Sequence, residues 1–196
     1  MKNHIFYCQL DYESIPYPQG GVGKGTIADN GCGICSACML AENMLGISIS
    51  LEEAAKMAID CGARCNSGTD FYIFTPVFAE YIGCSVRMTY DWEEALEFLH
   101  THDDETGMII ANTKGDRPDD GYIGVFSDSG HYIVLVSAVG STVKVWDPMY
   151  KEGTGRYGKP GRPGKVRMDG NDAYADMSVI REDCKTRPYF LFEKQK

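Results

Sequence analysis

From Cys32 to Leu45 the apolar residues Ala37, Met39, Leu40 and Met44 fit a helix, and Gly46 supplies its stop. Ser50-Leu51-Glu52-Glu53 is a capping box, so a second helix should run to about Cys61. A third is expected from roughly Thr69 to Ile82, with Phe71, Tyr72, Phe74 and Phe78 on its inner face and Gly83 closing it. Asp91-Trp92-Glu93-Glu94 opens a short fourth helix after a strand at 85–89. The second half changes period. Met108–Ala111, Tyr132–Val136, Val143–Trp146 and Tyr189–Phe192 all read as strands. Helices first and strands later predict an α+β fold.

Two stretches escape these periods. Residues 1–30 are rich in Gly and Pro and read as an extended arm, whereas 149–171 reads as a Gly-rich, basic loop inserted between late elements. At 196 residues, 43% hydrophobic and 24% charged, with no internal linker, the chain is expected to form one domain over 1–196. No secretory h-region or membrane span is visible, which makes a cytoplasmic location the expectation. A formal net charge of -9 argues against nucleic acid or anionic lipid as a partner and leaves peptides or neutral small molecules. The loop is the local exception, with Lys151, Arg156, Lys159, Arg162, Lys165 and Arg167 against Glu152 and Asp169. It could overhang a cleft and select acidic substrate residues.

Eight cysteines are too few for a disulfide scaffold in a chain this long, so free thiols are expected. Cys32 opens the first helix, where unpaired N–H groups and the macrodipole favour a thiolate. Its neighbours Gly31 and Gly33 fit either close approach of a substrate backbone or a plain tight turn. His131 precedes one apolar strand and Asp147 ends the next. They can meet only if the connection at Val139-Gly140-Ser141 has an odd number of residues or a bulge intervenes; a plain two-residue turn would put them on opposite faces.

Taken together, Phe6-Tyr7-Cys8-Gln9-Leu10-Asp11, Gly25-Thr26-Ile27, Gly31-Cys32-Gly33, Gly130-His131-Tyr132-Ile133-Val134-Leu135 and Val145-Trp146-Asp147-Pro148 resemble cysteine peptidase family thirty-nine. This is the papain-like group that includes the double-glycine leader peptidases of bacteriocin exporters, and the chain is most similar to its stand-alone bacterial members. The resemblance implies a papain-like fold, a helical half packed on an antiparallel sheet, and a peptide or protein substrate with no cofactor. It makes Cys32 the nucleophile, His131 the base, Asp147 its orienter and Gln9 the side-chain donor of the oxyanion hole. Ile34-Cys35 departs from the Pro-Thr usual after the Gly-Cys-Gly, which touches substrate preference and leaves the triad intact.

Other readings compete. The same triad could pass an acyl group to an amine, or the domain could bind peptides without catalysis. Cys32, Cys35 and Cys38, with Cys61 and Cys65, resemble part of an iron–sulfur ligand run, although Glu42 stands where a fourth cysteine belongs. His100 and His102 beside Asp103-Asp104-Glu105 read as a solvated helix end rather than a metal patch.

Overall fold

The computed structural model describes residues 4–195. Six helices and nine strands follow in the order α1 (Ile27–Asn30), α2 (Cys32–Leu40), α3 (Leu51–Asp60), β1 (Arg64–Cys65), β2 (Gly68–Thr69), α4 (Phe71–Ile82), β3 (Cys84–Thr89), α5 (Trp92–Thr101), β4 (Gly107–Thr113), β5 (His131–Val139), β6 (Thr142–Trp146), β7 (Val166–Asp169), β8 (Asp172–Asp176), α6 (Met177–Asp183) and β9 (Tyr189–Lys194). Seven strands form one antiparallel sheet in the order β3-β9-β4-β5-β6-β8-β7, and β1 pairs with β2 in a separate small hairpin.

The caps explain most helix starts. The Ser50 hydroxyl accepts from the Glu53 N–H, Asp70 from Tyr72 and Asp91 from Glu93, so α3, α4 and α5 begin where a side chain satisfies an orphan amide. α4 accordingly starts two residues later than Thr69, which pairs in β2 instead. Past Leu40, α2 loosens into a π-turn over Ala41–Leu45 and ends at Gly46 in the left-handed region.

Alternation along the central strands divides the interior in two. Met108, Ile110, Val134, Trp146 and Phe190 pack against α2, α3 and α4 on one face. Ile109, Ile133, Leu135, Val145 and Leu191 turn to the other face, covered by α5 and α6. Both faces of β4 and β5 are therefore dry, which is why these strands read as unbroken apolar runs. Phe71, Phe74 and Phe78 are buried as expected, but Tyr72 is 53% exposed and hydrogen-bonds to the hydroxyl of Tyr90.

The arm is not a loose leader. Ile15, Tyr17 and Ile27 are core residues, the Tyr17 hydroxyl meets Thr69 at 2.7 Å, and Gln9–Asp11 form a 3-10 turn. The basic stretch is likewise more ordered than a plain loop: Arg156–Gly158 are helical and β7 extends the sheet by pairing with β8.

Candidate active site

Cys32 stands at the first turn of α2, a position whose N–H has no acceptor within the helix. Its flanking glycines have a packing reason of their own. A Cβ on Gly31 would lie 2.6 Å from the Ile27 carbonyl, and one on Gly33 would lie 2.6 Å from the Phe71 ring. Close approach of α1, α4 and the small hairpin to the start of α2 thus requires both glycines.

His131 and Asp147 meet through a bulge. β5 and β6 are joined by the two-residue turn Gly140-Ser141, with Val139 opposite Thr142, and this parity alone would send the two side chains to opposite faces. Between Leu135 and Ser137 the register slips by one residue, so that Val134 lies opposite Trp146. Asp147 then falls diagonal to His131 on one face, and His131 Nε2 lies 2.8 Å from Asp147 Oδ1. With Nε2 given to the carboxylate, Nδ1 is the nitrogen left for the Cys32 thiol; the two groups line the same cavity and are electrostatically coupled.

The charges follow from this chain of contacts. Burial by itself would raise the Cys32 thiol, but the hydrogen bond and charge of His131 outweigh it and bring the thiol below its ordinary value. Burial would likewise discharge His131, yet the Asp147 carboxylate and then Cys32 raise it from 6.5 to about 9. Asp147 is completely buried, which alone would favour its acid; Arg156 and His131 hold it well below the usual carboxylate range. All three shifts run toward thiolate, imidazolium and carboxylate.

Gln9 completes one wall. Its backbone N–H donates to the Pro148 carbonyl at 2.7 Å and its Nε2 to the Ala28 carbonyl at 2.9 Å, so both the residue and its amide are fixed beside the start of α2. Gln9 Oε1 is buried without a hydrogen-bond partner among the described residues. Gln9, Asn30, Cys32, Asn112 and His131 line a common cavity of about 640 Å³.

No family model matches the chain, and no curated protein matches its sequence. Solved structures do. A C39-like peptidase from Bacillus anthracis is 13% identical and superimposes with a TM-score of 0.57, covering 94% of this chain and 96% of its own. The fold is that of the C39-like peptidases. The peptidase domain of Streptococcus ComA, a bi-functional ABC transporter involved in a quorum-sensing pathway, is 15% identical with a TM-score of 0.52, covering 89% of this chain and 97% of its own. At these identities the likeness is one of papain-like fold, and the chemistry rests on the residues of this chain.

On that fold, the basic stretch reaches the cavity, which Arg156 and Lys159 line, and several of its cations are also paired within the molecule. Arg156 pairs with buried Asp147, Arg162 and Lys159 pair with Asp128, and Lys151 pairs with Asp11. Lys165 and Arg167 lie over the rings of Tyr122 and Tyr174. Four of the loop's six cations are thus ion-paired within the molecule, and Arg156 is not a free cation awaiting an acidic substrate residue. Reading the sequence alone missed that Arg156 and Tyr157 both reach Asp147; their spacing nine and ten residues past it gives no such signal.

Cys65 lines the cavity with Cys32, whereas Cys35, Cys38, His100 and His102 lie elsewhere. Cys35 and Cys38 are packed in the core with α2, and burial pushes both thiols up. His102 stacks on Phe98, and His100 Nε2 lies 2.8 Å from the Gly140 carbonyl oxygen. His102 thus binds within α5 and His100 reaches the β5–β6 turn, so neither faces only solvent.

Proposed function

We propose that the chain is a cysteine peptidase that hydrolyses a peptide bond through a thioester on Cys32. The observation that carries this reading is the pairing of His131 with Asp147 at 2.8 Å in a cavity that Cys32 and His131 both line, with the thiol coupled to the imidazole. The Cys32 thiolate attacks the substrate carbonyl carbon. His131, protonated on Nδ1 by the thiol, then gives that proton to the leaving amine as the tetrahedral intermediate collapses. A water, its proton taken by the now neutral imidazole, attacks the thioester and releases the acid. The developing oxyanion is met by the Cys32 backbone N–H and by the second Nε2 hydrogen of Gln9. Asp147 keeps the imidazole in the tautomer and orientation these steps need. No cofactor enters any of them.

The cavity of about 640 Å³ has a largely polar lining that suits a peptide backbone, so the substrate class proposed is peptide or protein, in a single domain spanning 1–196. Incubation of the full chain with a peptide library, read by mass spectrometry, should give discrete cleavage products with wild type and none with Cys32→Ala. Products from the variant, or no products from either, would contradict the reading. Because His131 must carry its proton to protonate the leaving amine, kcat/KM should fall as pH rises through about 9. An alkaline limb centred near pH 7 would contradict the ion pair.

A further inference from the structure

A completely buried carboxylate is costly unless its lone pairs are all engaged. Asp147 is engaged from three directions. His131 comes from β5. The Met149 N–H donates to Oδ1 at 2.9 Å, and the segment beyond it supplies Arg156 Nε to Oδ2 at 2.5 Å, Arg156 Nη2 to Oδ1 at 3.3 Å and the Tyr157 hydroxyl to Oδ2 at 2.6 Å. Arg156 is itself held: it also donates to the Phe126 carbonyl, while the fully buried Arg162 donates to the Arg156 carbonyl at 3.2 Å and to that of Gly124 at 2.7 Å. Tyr157 packs edge-on against Phe126. The guanidinium is therefore held against the carboxylate, with Nε on Oδ2 and Nη2 on the Oδ1 that the imidazole also uses.

Resting on the Cys32, His131 and Asp147 assignment, we infer that Arg156, assisted by Tyr157, is a positioning residue that shares the charge of Asp147 and so keeps the His131 imidazolium ready to surrender its proton. The groups facing each member are few. His131 meets Asp147 from β6 and Cys32 from α2; Asp147 meets His131, Arg156 and Tyr157, with Cys8 farther off; Arg156 has Asp128 as a more distant anion. A guanidinium bonded to the carboxylate withdraws electron density from it and also repels the imidazolium. Both effects loosen the proton on His131. That matters because an imidazolium that holds its proton too tightly is a poor acid toward the leaving amine. Without Arg156 the carboxylate would stay on His131, since the Met149 N–H and the Tyr157 hydroxyl still hold it, and its undiluted charge would bind the proton harder.

The test compares wild type with Arg156→Gln, Arg156→Lys and Tyr157→Phe, reading the titration of the His131 ring by NMR and the alkaline limb of kcat/KM. Arg156→Gln should move both midpoints upward by about one pH unit and lower kcat with KM little changed. Tyr157→Phe should move them in the same direction by less. Arg156→Lys, which keeps the charge, should restore the wild-type midpoint. An unmoved or lowered midpoint in Arg156→Gln overturns the inference, since a purely structural role would lower the melting temperature without touching the titration. If Arg156→Gln does not fold, an unmoved midpoint in Tyr157→Phe overturns it equally. The NMR titration needs no substrate, so a chain that cleaves no peptide would sink the peptidase reading while leaving the role of Arg156 decided on its own.

Discussion

His131→Ala should lower kcat by about 10⁴-fold or more while changing KM little. Two steps depend on the ring, because it holds the thiol proton and later activates the water, and triad members elsewhere cost this much or more when removed. Cys32 would also lose the partner that brings its thiol down; with burial left as the dominant influence, the thiol should rise above its ordinary value. The fold should survive. Asp147 would still be paired with Arg156 and hydrogen-bonded to Tyr157 and the Met149 N–H. Steady-state kinetics on any substrate found for the wild type checks this, and a loss of less than tenfold would remove His131 from the mechanism.

Gln9→Ala is expected to cost about 10²- to 10³-fold in kcat, again with KM nearly unchanged. Charge builds on the carbonyl oxygen only on the way to the tetrahedral intermediate, so a donor aimed there acts on the barrier and hardly on binding. Gln9 is fixed for such a role by its two bonds to the Pro148 and Ala28 carbonyls. Its unpartnered Oε1 points the same way. A buried amide oxygen left without a donor costs about 1–3 kcal/mol, and such exceptions call for a reason other than stability. Alkylation of Cys32 should be unaffected, because displacement of iodide creates no oxyanion. Turnover within about twofold of wild type would place the donor elsewhere, with Asn30, which lines the same cavity, the next to examine.

Where local rules decide, this sequence could be read directly. Ser50 and Asp91 mark helix starts because a short polar side chain before an apolar run has an orphan amide to satisfy, and they cap α3 and α5. Buried strands announce themselves by β-branched and aromatic residues, and β4, β5, β6 and β9 all carry them. The elements that escaped lack such signals. β7 and β8 are short, with Ala173 and Ala175 as their buried residues, and α6 has only two turns. In the arm, Gly and Pro hid the fact that Tyr17 and Ile27 belong to the core, because those residues are placed by tertiary contacts and follow no period. The meeting of His131 with Asp147 could be posed from the sequence as a requirement for an odd loop or a bulge. Which of the two occurs depends on how β6 packs, and nothing in Val136 itself declares a bulge. Arg156 was legible only as a positive charge, because its partner Asp147 lies at the end of another element and the loop between them has no regular geometry to count along.

The most direct measurement of the central claim is competitive alkylation of the full chain with limiting iodoacetamide at pH 6, read by peptide mapping. The thiolate is the reacting form, and among the described cysteines whose thiols burial perturbs, Cys8, Cys35, Cys38, Cys84 and Cys184 are all pushed up while Cys32 is brought down. Cys61 and Cys65 are more exposed and serve as the accessible controls. The account predicts that Cys32 is labelled well ahead of both and that His131→Ala abolishes this preference. Labelling of Cys61 and Cys65 as fast as Cys32, or a preference that survives His131→Ala, would contradict it.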